Sequence, residues 1–107
     1  MGVVAAKLTN LVLPTRDLDR VEAFYRDIFG FEPFHRDQTC RFLRTGATHL
    51  VFVLSQEATS GVCLDLSVAD LELAASALEG AGVAFTREAD MLVLRDPDWS
   101  LVEVVKG

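Results

Sequence analysis

Apolar residues in the first third of the chain follow two periodicities. Residues 8–13 are rich in Leu and Val, a composition typical of a strand. After Asp17 the apolar residues recur with the spacing of one helix face. They are Leu18, Val21, Phe24, Tyr25, Ile28 and Phe29. Since Asp is a good N-cap and Gly a common C-cap, the sequence predicts a helix between Asp17 and Gly30.

Short apolar runs separated by turn residues predict three more strands in the first half. We expect them at 31–36, 40–45 and 48–54. The second half repeats the order strand, helix, strand, strand, strand. Its predicted elements are a strand at 61–67, a helix from Asp70 to about Ala81, and strands at 83–87, 91–95 and 100–106. The buried face of this second helix is predicted from the spacing of Leu71, Ala74, Ala77 and Leu78.

The two halves are internal repeats. Residues 8–18 are echoed by residues 61–71, and each segment is an apolar strand followed by an acidic residue and Leu at a helix start. A repeat of this length cannot bury its sheet face alone, so we expect the halves, or two chains, to pair. We predict a single domain over 1–107, with modules at 7–55 and 61–106 joined by a short linker at 56–61.

Composition narrows the classes of partner. The chain has 107 residues, half of them apolar, and a net charge of −6 without a basic cluster. Nucleic acid and anionic membranes are poor partners for such a charge. Without an apolar run of about 20 residues or a signal peptide, we expect a cytoplasmic protein. Two cysteines, Cys40 and Cys63, do not form a disulfide framework, and we predict buried free thiols.

Strand alternation separates polar from apolar side chains in the second half. Cys63 and Asp65 alternate with apolar residues that would pack under the helix, and Glu103 lies between Val102 and Val104. The polar set should therefore line the opposite face, where it would meet either a ligand or simply water or a partner chain. Two carboxylates in a cleft would suit a cationic ligand.

Two segments carry a family resemblance. Residues 13–32 (LPTRDLDRVEAFYRDIFGFE) resemble the first repeat of the vicinal oxygen chelate superfamily, which includes glyoxalase I, bleomycin-resistance proteins and extradiol dioxygenases. Residues 95–103 (RDPDWSLVE) resemble its closing hairpin, with Trp99 where the family usually has Gly. The resemblance implies an α+β fold in which two βαβββ modules form an open curved mixed sheet around a cleft, usually in a homodimer.

The resemblance also implies positions for metal ligands in metal-dependent members. Carried over to this chain, they fall on Asn10, Cys63 and Glu103, and less securely on Val51. Divalent ions in such sites need imidazole nitrogens and carboxylate oxygens, and this set offers one firm ligand. We therefore predict no metal cofactor, although a divalent metal is the alternative. The place of the usual histidines is taken by Asn10 and Cys63.

Other side chains are candidates for the predicted cleft. His49 alternates with Leu50 and would lie beside Val51, either as a ligand or base or facing solvent. Phe42 would add an apolar wall. Trp99 would stack on a planar ligand or cover a partner subunit. For Cys63, an inert core residue is favoured over a reactive thiol, because no His or Lys lies near it in sequence.

Two functional hypotheses follow. The first is a metal-free binding protein resembling bleomycin-resistance proteins, which sequesters a small aromatic or cationic molecule in a dimer cleft. The alternative is an enzyme of the glyoxalase or dioxygenase type, with lyase or isomerase chemistry and a divergent metal site. Glu103 would then abstract a proton, with His49 or Cys63 as added ligands. A third outcome is a cleft filled by side chains, which leaves only a dimeric scaffold.

Overall fold

The computed structural model describes residues 3–57 and 62–107. The chain divides into two compact units, 1–58 and 59–107. The predicted linker at 56–61 falls largely outside the described residues, as does the first residue of the strand predicted at 61–67. No helix within 3–57 or 62–107 is long and apolar enough to cross a membrane.

Each unit has the order strand, helix, strand, strand, strand. The first unit contains β1 (Asn10–Thr15), α1 (Leu18–Phe29), β2 (Glu32–Arg36), β3 (Cys40–Arg44) and β4 (His49–Leu54). The second contains β5 (Cys63–Val68), α2 (Leu71–Gly80), β6 (Thr86–Glu88), β7 (Met91–Arg95) and β8 (Leu101–Lys106). The two sheets have the orders β1-β4-β3-β2 and β5-β8-β7-β6, and in each the first pair is parallel and the others antiparallel.

All the predicted strands and both helices are present, with shifted ends. β1 runs to Thr15 and passes through Pro14, which a strand at the edge of its sheet tolerates. β6 begins at Thr86 and not at Val83, because the Val83 amide still donates to the Leu78 carbonyl at the end of α2. The predicted strand at 83–87 was therefore wrong in its first residues.

Both helices begin at the predicted caps. The carboxylate of Asp17 accepts a hydrogen bond from the Arg20 amide at 3.1 Å, and that of Asp70 from the Leu73 amide at 3.1 Å. Gly30 ends α1 with a φ of 71°, in the left-handed region that glycine enters without cost. Local sequence therefore fixes where the helices start.

Each helix packs on one face of the sheet of its own unit. In the first unit Tyr25 is fully buried, and its ring stacks on Phe52 with centroids 5.3 Å apart. In the second unit Ala75 and Leu78 are the buried residues of α2. The prediction that Ala77 lies on the buried face was wrong, because the buried stripe passes through Ala75 and leaves Ala77 exposed.

A buried carboxylate on α1 was not predicted. Glu22 is only 2% exposed and lies between Val21 and Tyr25 on the packed side of the helix. It accepts hydrogen bonds from the guanidinium of Arg36, with Nε 3.2 Å from Oε1, and Arg41 Nε lies 3.5 Å from Oε1. The burial of this charge is therefore compensated by arginines from β2 and β3.

Candidate functional site

The candidate site of the second unit lies on the sheet face that its helix does not cover. Val102 and Val104 are fully buried on the helix side, so Glu103 between them points to the opposite face. Along β5, Cys63 and Asp65 are exposed while Leu64 between them is buried. The strands therefore present Cys63, Asp65 and Glu103 on one face, as strand alternation predicted.

Parallel pairing brings these three side chains together. β5 and β8 are in register with Asp65 opposite Glu103. The Cys63 thiol Sγ lies 3.0 Å from Oε1 of Glu103 and 3.8 Å from Oδ1 of Asp65. One ligand atom from each residue lies within 4.8 Å of the others. We call these three residues the β5–β8 cluster.

The thiol of the cluster is protonated at neutral pH. Its hydrogen bond to Glu103, followed by desolvation and the negative charges of both carboxylates, raises the pKa of Cys63 to about 11. Since the thiolate is the nucleophile, this environment suppresses the reactivity of Cys63. The prediction of buried thiols was wrong, because Cys63 is exposed and Cys40 is half-buried.

The described part of the chain supplies no cationic partner for the two carboxylates of the cluster. Among residues 3–57 and 62–107, neither Asp65 nor Glu103 forms an ion pair. Like charges directly opposite each other on neighbouring strands destabilise a sheet. The site therefore carries a negative charge that a cationic group would neutralise.

The candidates of the first unit lie on the corresponding face of its own sheet. Asn10 is the register partner of His49, and Phe42 is the register partner of Val51. Val51 is only 3% exposed, so it offers little surface to a ligand. The structure thus joins these four predicted residues in two neighbouring pairs.

Aromatic packing adds two residues that were not predicted. The ring of His49 lies 4.6 Å from that of Phe34, and the guanidinium of Arg44 lies 4.2 Å from the centre of the same Phe34 ring. The pairing of β2 with β3 shifts between Pro33 and His35, and this irregularity was not apparent from the sequence. Phe34 was therefore not predicted as a site residue, because the sequence does not show the shift in pairing beside it.

Trp99 occupies the turn between β7 and β8. Its φ is 67°, so the turn keeps the left-handed conformation that glycine would adopt, with a tryptophan in it. The side chain is 65% exposed, and the Arg95 guanidinium lies 5.7 Å from the ring centre. Trp99 is therefore a site of backbone strain. Whether its ring meets a ligand or a partner subunit stays a prediction.

The residues at the family's metal positions do not fit the metal centre of the metal-dependent members. In the second unit, Cys63 and Glu103 lie close together and offer one thiol and one carboxylate. In the first unit, Val51 has no donor atom, and Asn10 offers only an amide oxygen as a weak ligand. Imidazole is missing from all four positions. A metal ion at these positions would therefore lack the ligands that hold it in the metal-dependent members.

Comparison with known proteins identifies the fold. A family model described as a glyoxalase-like domain matches residues 10–105. The structure is similar to lactoylglutathione lyase from Agrobacterium tumefaciens, with a TM-score of 0.84 and 22% identity over 97% of this chain and 96% of that one. It is similar to a bleomycin resistance determinant encoded on the transposon Tn5, with a TM-score of 0.74 and 24% identity over 95% and 98%.

A bleomycin-binding protein complexed with bleomycin is also similar, with a TM-score of 0.73 and 24% identity over 96% of this chain and 99% of that one. No curated protein sequence matches the chain significantly. At these identities the similar structures establish the fold alone. The predicted α+β fold of two βαβββ modules with open sheets is confirmed, as is the resemblance to the vicinal oxygen chelate superfamily.

Proposed function

The chain belongs to the glyoxalase-like domain family, and on that premise we propose that it binds a small cationic or aromatic molecule without a metal at the binding site. The molecule would be held and released chemically unchanged. The β5–β8 cluster is the part of the chain to which we assign recognition of the ligand's cationic group.

The unpaired carboxylates of the β5–β8 cluster carry this proposal. Asp65 and Glu103 are register partners on adjacent strands, and the described residues provide no cation for either. Such an arrangement reduces the stability of the free protein, and a bound cation would remove the repulsion. A charge-assisted hydrogen bond to either carboxylate is about twice as strong as a neutral one.

The state of Cys63 supports binding over covalent catalysis. A thiol with a pKa of about 11 is not a nucleophile at neutral pH. Its hydrogen bond to Oε1 also fixes the Glu103 carboxylate on the open sheet face. We infer that Cys63 positions Glu103 for a ligand.

The exposed ring of Trp99 supports an aromatic component in the ligand. Indole is a large flat surface, and stacking on a planar group is a favourable use of it. The ring lies in the turn that leads into β8, the strand that carries Glu103.

We propose that the protein acts as a homodimer in the cytoplasm. Val12 on β1 and Val53 on β4 are exposed apolar side chains of the first sheet, and a second chain would cover them. Two free thiols are in keeping with a reducing compartment.

An enzyme of the glyoxalase type is the second candidate. The observation that favours it is the position of Glu103, a carboxylate on the last strand of the second module, where it would accept a proton from a carbon acid. The β5–β8 cluster offers no activated nucleophile, so Glu103 alone would carry this chemistry.

A thermal-shift screen separates the two candidates. The protein, stripped of metal with EDTA, is melted with bleomycin and with other cationic aromatic antibiotics, each beside a neutral aromatic of similar size. A ligand at a hundred times its Kd adds about 2.7 kcal/mol to the free energy of unfolding. In parallel, formation and cleavage of lactoylglutathione are assayed with and without added nickel or zinc.

Variants locate the binding. Glu103→Gln should reduce the shift caused by a cationic ligand, while the matched variant Glu88→Gln, an exposed carboxylate on β6, should leave it unchanged. Equal shifts in both variants would count against the β5–β8 cluster as the site. Lactoylglutathione turnover that Glu103→Gln abolishes would favour the enzyme.

A further inference from the structure

A second group of donor atoms lies on the hairpin between β2 and β3 of the first unit. His35 Nε2 lies 3.3 Å from Oδ2 of Asp37, and Cys40 Sγ lies 3.4 Å from the same oxygen. One ligand atom from each of the three residues lies within 4.8 Å of the others. These residues are outside the positions that the family uses for its metal, and the proposed ligand site does not include them.

The turn of this hairpin holds the Asp37 carboxylate in place. Oδ1 accepts hydrogen bonds from the Thr39 amide at 2.8 Å and the Cys40 amide at 2.9 Å, and from Thr39 Oγ1 at 3.0 Å. The Asp37 amide donates to the Cys40 carbonyl at 3.1 Å, which closes the turn. Oδ1 therefore anchors the backbone, and Oδ2 faces the other two donors.

The His35 ring is oriented by packing. It lies edge-on against Phe42, with centroids 5.2 Å apart and planes at 90°. The two residues are register partners of β2 and β3, so the contact is built into the hairpin. A metal-binding imidazole that is held by its surroundings loses less freedom when it binds an ion.

The spacing and chemistry of these donors match a zinc site. Four ligands at about 2.0–2.3 Å in a tetrahedron lie about 3.3–3.8 Å from one another. The two distances to Asp37 Oδ2 lie in that range. Imidazole, carboxylate and thiolate together are a borderline donor set that suits zinc better than magnesium or calcium.

We propose that His35, Asp37 and Cys40 bind one zinc ion, with a water molecule as the fourth ligand. On binding, the Cys40 thiol gives its proton to solvent and its sulfur joins the ion, while Asp37 Oδ2 and His35 Nε2 exchange their present contacts for the metal. The hydrogen bonds to Oδ1 survive, so the hairpin keeps its turn.

Cobalt is a suitable spectroscopic probe, because its bond to a thiolate produces a charge-transfer band and its tetrahedral sites absorb visible light. Metal-free protein is titrated with cobalt and then with zinc. The wild-type protein should bind one cobalt ion with the thiolate band, and zinc should abolish the band. The absence of a thiolate band at saturating cobalt would overturn the proposal.

The two cysteines provide matched variants. The band should persist in Cys63→Ser, which disrupts the β5–β8 cluster, and should vanish in Cys40→Ser. A band that survives Cys40→Ser would overturn the proposal. If Cys40→Ser does not fold, as judged by circular dichroism, His35→Gln decides the question. This variant should weaken cobalt binding by about tenfold or more, and an unchanged affinity would overturn the proposal.

Discussion

The thiol of Cys63 donates a hydrogen bond across 3.0 Å to Oε1 of Glu103, its neighbour on the adjacent parallel strand. This contact keeps the thiol protonated and holds one oxygen of the carboxylate. Cys63 and Glu103 form the β5–β8 cluster together with Asp65. The two carboxylates of the cluster have no ion-pair partner in the described parts of the chain. A cationic ligand would complete this arrangement.

Alkylation of Cys63 should depend on Glu103. The raised pKa, about 11, means that the rate with iodoacetamide should keep rising between pH 8 and pH 11, beyond the range where an ordinary thiol is fully ionised. In Glu103→Gln the largest cause of the shift is lost, so the pKa falls and the rate at pH 8 should rise about tenfold or more. Mass spectrometry in a Cys40→Ser background, where Cys63 is the only cysteine, measures the alkylation rate against pH and the effect of Glu103→Gln on it. A rate that Glu103→Gln leaves unchanged would contradict the role of the hydrogen bond.

Loss of Asp65 should stabilise the free protein and weaken binding. Asp65→Asn removes one of two like charges on paired strands, which should raise the free energy of unfolding by about 0.2–1 kcal/mol at low salt. The same variant should reduce the thermal shift caused by a cationic ligand. Denaturant unfolding at low and high salt measures the first effect, which should shrink as salt screens the repulsion. A destabilised variant would indicate that Asp65 is held by a favourable contact.

Glu22 should be a major contributor to the stability of the first unit. Glu22→Gln removes a buried charge that faces the guanidinium groups of Arg36 and Arg41. Because the Arg36 side chain is exposed and Arg41 also contacts Asp19, neither guanidinium is left wholly uncompensated, and we expect a loss of about 1–3 kcal/mol. Glu32→Gln is the matched control, because Glu32 is exposed and its carboxylate lies 3.7 Å from Arg44. Equal losses in the two variants would contradict this role for Glu22.

The backbone strain at Trp99 should appear in a comparison of two small replacements. Trp99→Gly and Trp99→Ala both remove the ring. Only alanine has a Cβ that makes a φ of 67° unfavourable. The glycine variant should therefore be more stable, by about 1 kcal/mol. Chemical denaturation of both variants measures the difference. An alanine variant of equal or higher stability would show that the turn relaxes once the ring is gone.

Local patterns in the sequence were sufficient for most of the fold. The ends of α1 at Asp17 and Gly30 were predictable because capping depends on a few neighbouring residues. Strand alternation predicted that Glu103 lies on the other face of β8 from Val102 and Val104. Glu22 was not predicted because its partners, Arg36 and Arg41, come from strands that meet it only in the folded unit. The sequence alone does not show whether a charged residue within an apolar helix face is solvated or forms an ion pair.

The candidate site was harder to predict than the fold. The sequence predicted that Asp65 and Glu103 share a face, but their pairing depends on the register between strands that lie far apart in the chain. The contact between Cys63 and Glu103 depends on the same register. By contrast, the contacts among His35, Asp37 and Cys40 depend on one short turn, so the sequence held a local signal for them, but this group of donors was not predicted.

The most direct test is a calorimetric titration of the EDTA-treated protein with the molecule that gives the largest shift in the thermal screen. We expect saturable binding by the wild-type protein that added zinc does not change. The affinity should be at least about tenfold lower in Glu103→Gln, because a charge-assisted hydrogen bond is lost. Equal affinities in the two proteins, or binding that appears only after a metal is added, would contradict the proposed function.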